Sequence, residues 1–484
     1  PCRLAALFLL AACSTGGPYD IVIKGGRVMD PETGVDAVLD VGIRGDRIAK
    51  ISSKPLTGTR IIDAKGFVVA PGFIDLHQHQ HDSVSYQLKA LDGVTSALEM
   101  ETGVPDYPKF LEARRGKTLI NYGATVSQEA ARVVAWGGKL EPSGMGPEAG
   151  IDDPPSGPAT DDHATPAQLD SMLAFMRTQL AAGALGVGIG LEYTPGASRL
   201  EIIRIFQLAA ERRLPVFVHM RGVGKTEPGS SIESVGEMIA ASAITGAPVH
   251  LVHINSSCLS SVPDCLAMVQ GARAHGLDVT TEAYPYGAGM TSIASALFNP
   301  GWRERRGIDY DALELPATGE RLTKARFDLL HAAAKPEYVL IHMNPDSVVD
   351  AAIKNPITMV ASDGLPSHPR GAGTFSRILA RYVRDQHSLT MMDALRKMSL
   401  MPAQRLETST TAAQRKGRIQ EGADADIVVF DPKQVSDKAT YRAPRQPSVG
   451  MQYVLVAGTP VVAEGKIVGG VAPGKPFTAD RAAK

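Results

Sequence analysis

The chain has 484 residues, with 50 Lys and Arg against 51 Asp and Glu, 44% hydrophobic residues and 21% charged ones. A net charge of −1 gives no electrostatic case for nucleic acid or an anionic membrane surface as a partner. The length exceeds one compact core and predicts a large domain with a smaller companion. The four cysteines contain no Cys-x-x-Cys pair, which excludes a zinc finger or a thioredoxin-like site.

Residues 4–12 are a short apolar run after Arg3, too short to cross a bilayer but patterned like a signal-peptide core. The run ends Leu10-Ala11-Ala12-Cys13, which resembles a lipoprotein lipobox, and Ser14 resembles an outer-membrane sorting signal. Residues 1–18 are therefore expected to be a signal and anchor segment, cleaved before Cys13. The protein is expected to be exported to the periplasm and to meet the outer membrane only through lipid on Cys13.

Residues 19–68 alternate apolar and polar positions with glycine punctuation, as in Tyr19-Asp-Ile-Val-Ile-Lys-Gly-Gly. The same texture returns over 409–475, as in Ala425-Asp-Ile-Val-Val-Phe-Asp. Period-2 segments at both ends predict one discontinuous β-sandwich. Between them, residues 69–408 alternate apolar strands with helical stretches. The strands are expected at 73–79, 95–101, 118–125, 184–191, 215–220, 249–254, 278–284 and 357–362. Helices are expected over 166–182, where Thr165 caps and Pro166 takes the first position, and over 199–212 and 232–245. Such alternation predicts a (β/α)8 TIM-like barrel. Residues 138–164 read as a long loop, and residues 292–338 as an insertion beside the site that could serve as a lid.

Titratable residues gather at the strand ends. His77 and His79 end the first strand at i and i+2, so both face one side. His219, His253 and Asp363 each follow an apolar run, where a barrel places its chemistry. Imidazoles with a carboxylate form a zinc ligand set. His250, one residue out of phase with His253, is expected to face the helices in a structural role, and His342 is also read as structural. His81 and His368 lie on loops and stay open. Cys258 and Cys265 either pair in an oxidising compartment, stapling the loop after His253, or remain two buried thiols.

Several motifs carry a resemblance. Pro71-Gly-Phe-Ile-Asp-Leu-His-Gln-His resembles the first-strand motif of the amidohydrolase superfamily. Gly183-Ala-Leu-Gly-Val-Gly-Ile-Gly-Leu-Glu-Tyr-Thr-Pro-Gly, Phe217-Val-His-Met-Arg, Ala283-Tyr-Pro-Tyr and Ser362-Asp-Gly-Leu-Pro-Ser-His-Pro-Arg resemble signatures of its D-aminoacylase (N-acyl-D-amino-acid deacylase) family. The resemblance covers almost all of the chain after residue 19. It implies a hydrolase that uses one or two Zn2+ ions to cleave the amide bond of a small N-acyl amino acid.

Two departures stand out. The fourth strand lacks the lysine that bridges two metals in many superfamily members, and the second lacks the cysteine of D-aminoacylases. That strand instead reads Leu98-Glu-Met-Glu-Thr, and a buried carboxylate calls for a cation. Glu101, nearer the strand end, is the expected anionic ligand, with Glu99 as second choice. Asp363 is expected as general base and acid, and Tyr284 as an oxyanion donor. Arg221 and Arg370 are candidates to grip the substrate carboxylate, the resemblance favouring Arg370. Asn255 stands where the family has a substrate-contacting lysine. A dipeptidase, a carboxypeptidase-like enzyme, a cyclic-amide hydrolase or an inactive metal-stabilised surface lipoprotein are the rival readings.

Overall fold

The computed structural model describes residues 18–140, 157–333 and 337–480. Cys13 with the apolar run before it, and the middle of the 138–164 loop, lie outside these residues.

Eight strands form one parallel sheet: β1 (Phe73–Asp75), β2 (Val94–Val104), β3 (Asn121–Ser127), β4 (Val187–Gly190), β5 (Val216–His219), β6 (Val249–Leu251), β7 (Val279–Ala283) and β8 (Thr358–Val360). Neighbours in the sheet are neighbours in sequence, from β1 to β8. The barrel closes beyond the ends of β1 and β8, where Gln78 bridges Gly364. The Gly364 amide donates to the His77 carbonyl, and the His79 amide donates to that of Gly364. Alternation sorts the side chains: Val216 and Val218 pack among the helices, while Phe217 packs with Ile74, Leu98 and Met359.

The helices carry their own start and stop signals. Pro166–Ala181 opens on a capping box between Thr165 and Gln168, with proline in its first turn. Ser231–Thr245 opens on a second box, Ser230 with Glu233, and stops at Gly246, whose φ of 77° is cheap only for glycine. The next loop is fastened by a disulfide between Cys258 and Cys265. It ties the turn Ile254–Cys258 to the helix Val262–Ala274.

The two ends of the chain meet in a separate nine-stranded sheet. Ile427–Phe430 pairs antiparallel with Val68–Pro71, joining the C-terminal strands to the N-terminal ones. Its core includes Ile21, Ile23, Val41, Val429 and Leu455. A third sheet of three strands stands between β7 and β8: Ala288–Ser292, Leu313–Glu314 and Tyr338–His342. Among the described residues no helix is long and apolar enough to cross a membrane.

Candidate metal centre

The site begins with an irregularity in β2. Glu99 pairs with Ala124 of β3 and Val104 with Val126, so β2 bulges between them. The bulge presses on β4, where a Cβ on Gly188 would lie 2.3 Å from the Glu101 carbonyl. Only a residue without a side chain fits there, which explains why this strand carries glycine at an inward position. The bulge also brings both Glu99 and Glu101 to the histidines, although Leu98 and Met100 pack inside the barrel as well.

Glu101 lies at the centre. One oxygen is 2.8 Å from His77 Nε2 and 3.1 Å from His79 Nε2. The other is 2.8 Å from His219 Nδ1 and 3.0 Å from His253 Nε2. Asp363 Oδ1 stands 3.2 Å from His79 Nε2. These atoms form two groups able to hold a cation, His77–His79–Glu101–Asp363 and Glu101–His219–His253, with Glu101 in both. His253 and Asp363 have φ of 31° and 51°, left-handed conformations that turn the chain sharply at two strand ends.

Behind the cluster, a second group holds each ring. Glu282 of β7 takes His77 Nδ1 at 2.6 Å, and Glu99 takes His79 Nδ1 at 2.8 Å. Glu192 takes His219 Nε2 at 3.1 Å, and the Ser257 hydroxyl lies 3.0 Å from His253 Nδ1. A partner on the outer nitrogen fixes both ring orientation and tautomer, as metal-ligating histidines require.

The electrostatics fit a cation. Burial disfavours protonation of His77, yet Glu101 and Asp363 push it up to about 10. Burial is likewise overcome at His219, which Glu101 and Glu192 raise to about 9. Burial would raise Asp363, but Arg370 and His77 pull it well below the ordinary carboxylate range. The protein alone balances its buried carboxylates with imidazolium. A divalent ion among the same atoms does so while leaving the imidazoles neutral and able to ligate.

The other expected site residues are placed unevenly. Tyr284 lines the chamber over the cluster, and burial pushes its phenol up to about 12. Arg370 is buried behind it, 4.7 Å over the Tyr284 ring, with Nη1 2.8 Å from Asp363 and Nε lacking a hydrogen-bond partner. Arg221, expected to meet substrate, is turned away and pairs with Glu237 on the helix after β5. The Asn255 amide is taken up by the backbone of Tyr284 rather than facing the chamber.

His250 does not face the helices. It packs on Phe217 and reaches Glu282 at 3.1 Å, so it braces the carboxylate that holds His77. The period-2 count from His253 fails because β6 stops at Leu251 and His253 is left-handed. His342 pairs with Glu314 in the three-stranded sheet. His81 meets the Tyr86 hydroxyl, and His368 the Ala288 carbonyl. Glu282, Glu192 and Arg306 went unnoticed in the sequence. The available signal was a lone glutamate within or just after an apolar strand.

The chamber itself holds about 50 Å3. It is walled by Tyr193, Leu297, Ile341 and Met343 as well as the polar cluster. Arg306 and Met343 also line a neighbouring cavity of about 790 Å3.

Comparison with known proteins gives the family. The profile described as "Amidohydrolase family" matches residues 60–462. An N-acyl-D-glutamate deacylase of Alcaligenes xylosoxydans xylosoxydans is 31% identical, over 91% of this chain and 93% of that one. A D-aminoacylase of the same organism is 28% identical, over 94% and 97%. The crystal structure of N-acyl-D-glutamate deacylase from Bordetella bronchiseptica, complexed with zinc and a phosphonate mimic of the tetrahedral intermediate, superposes with a TM-score of 0.80. It is 26% identical and covers 95% of this chain and all of its own. The protein belongs to the amidohydrolase family and is a hydrolase of carbon–nitrogen bonds.

Proposed function

We propose that this protein hydrolyses the amide bond of N-acyl-D-amino acids with zinc held by His77, His79, Glu101, His219, His253 and Asp363. The observation that carries the reading is the position of Glu101, shared by two ligand groups beneath a chamber that Asp363 and Tyr284 also line. The deacylase relatives supply the substrate class. Zinc bound there supplies Lewis acidity to the scissile carbonyl and to the attacking water.

The protein's own groups do the rest. Asp363 is ionised and takes the proton of the attacking water on a carboxylate oxygen, then returns it to the leaving nitrogen. The protonated Tyr284 phenol donates a hydrogen bond to the oxygen that gains charge. Arg370, with its free Nε beside Tyr284, pairs with the carboxylate of the departing amino acid. The apolar wall of Tyr193, Leu297 and Met343 excludes bulk water. The same reading takes the protein to be exported and lipid-anchored at Cys13; the Cys258–Cys265 disulfide supports an oxidising compartment.

The test is amine release by zinc-reconstituted protein from N-acetyl-D-amino acids, their L-forms, and D- and L-dipeptides. Turnover of the D-acyl compounds alone is expected. Turnover of peptides alone would move the function to a peptidase on the same centre.

A further inference from the structure

Three of the four imidazoles in the cluster are held from within the barrel and the turns that follow its strands. His77 is held by Glu282 of β7, His79 by Glu99 of β2, and His253 by Ser257 four residues on. His219 differs. Its Nε2 faces Glu192, which follows β4, and the second oxygen of Glu192 lies 2.5 Å from Arg306 Nη2. Arg306 belongs to neither β4 nor β5. It ends the short helix Trp302–Arg306 of the insertion between β7 and β8, 114 residues from Glu192. That insertion has its own apolar core, including Phe298, Trp302, Leu313 and Phe327. Arg306 turns out of this core with its side chain 2% exposed.

The physical need is clear. A carboxylate orients an imidazole only if it is itself held, and a buried carboxylate facing one imidazole is poorly compensated. The guanidinium meets both conditions, and its planar fork is steadied by Nη1 against Met343 Sδ at 3.4 Å. The contacts run without a break from Arg306 through Glu192 and His219 to Glu101.

We infer that Arg306 is a positioning residue for His219, acting through Glu192, so that the insertion completes the Glu101–His219–His253 half of the metal centre. The inference rests on reading the cluster as a metal centre. It makes the insertion part of the centre's construction rather than only a cover.

Zinc titration of the metal-stripped full-length chain tests it. A His77→Ala/His79→Ala background leaves the His219 half to be read alone. There Arg306→Met is expected to weaken zinc binding 10- to 100-fold, Glu192→Gln to do the same, and Arg306→Lys to weaken it less. In a His219→Ala/His253→Ala background, Arg306→Met is expected to leave zinc affinity unchanged. Unchanged binding in the first background overturns the inference and leaves the metal reading standing. Equal weakening in both backgrounds also overturns it, because Arg306 would then support the fold as a whole. If Arg306→Met fails to fold by near-ultraviolet circular dichroism, Glu192→Gln decides, and wild-type affinity in that variant is the overturning result. A wild-type chain that takes up no zinc sinks the metal centre itself and this inference with it.

Discussion

Glu99 and Glu101 grip opposite nitrogens of one imidazole: Glu99 lies 2.8 Å from His79 Nδ1 and Glu101 3.1 Å from Nε2. Two carboxylates two residues apart thus hold different stations, one behind the ring and one in front. Their amide variants should separate accordingly. Glu99→Gln is expected to weaken zinc binding about 10- to 100-fold, as losses behind a ligand do. Glu101→Gln removes the charge that both ligand groups share and leaves one of the two oxygens, so it is expected to exceed that by about tenfold or more. Zinc content after dialysis against graded chelator reads both. Equal effects would mean that the two stations are not distinct.

Asp363→Asn keeps the shape of the side chain but not its ability to take a proton. Its kcat per bound zinc is expected to fall by about 10²–10⁴, with zinc content measured on the same sample.

Arg370→Lys keeps the charge and loses the fork. With N-acyl amino acids, kcat/KM should fall about 10- to 150-fold, the equivalent of about 1.5–3 kcal/mol for a hydrogen bond to a charged group. An N-acyl amine without the carboxylate controls for the Asp363 contact, and its turnover should match that of the unaltered protein. A matching loss on both compounds would assign Arg370 to holding Asp363 alone.

Lys397 gives a pH test far from the centre. Its buried amine donates to the carbonyls of Asn355 and Thr358, and burial pushes it down to about 8 from an ordinary 10.5. Below pH 8 the folded protein carries a disfavoured buried charge. Between pH 8 and 10.5 the folded state releases this proton while the unfolded state keeps it, so stability from this group rises with pH. The gain is on the order of 3 kcal/mol. Lys397→Met should remove that rise. Urea midpoints at pH 8 and 10.5 for both proteins measure it, and parallel shifts would refute the assignment.

The Cys258–Cys265 bond closes a short loop, for which the chain-entropy estimate is about 2.5 kcal/mol. Cys258→Ala/Cys265→Ala should lower unfolding stability by about that amount in denaturant titration. Ser257 adjoins the bond and holds His253, so zinc affinity should fall in the same variant. Unaltered affinity would confine the bond to stability.

The barrel was legible because each apolar run marks a strand, and His77, His79, His219, His253 and Asp363 lie at or within a few residues of such strand ends. Their convergence needs only barrel closure, which alternating strands and helices imply. The groups behind them were not legible. Glu282 sits inside a strand and looks like any buried glutamate until His77 and His250 are seen on either side of it. Arg306 meets Glu192 only after two separate excursions of the chain fold together. Arg221 and Asn255 misled for a related reason. Both follow ligand-bearing strands, but nearness in sequence does not fix direction, and both are engaged elsewhere by Glu237 and the Tyr284 backbone. His250 was misplaced by two residues of irregular backbone, which no count of period two survives.

The carboxylate at the shared position also bears on what oxidants can do to the centre. A thiolate there could be driven through sulfenic to sulfinic and sulfonic acids. Glu101 has no such ladder. Peroxide would meet instead the thioethers of Met290 and Met343 in the chamber wall, whose sulfoxides are reversible. Oxidative injury would therefore reshape the room above the ligands while leaving the central anion chemically intact.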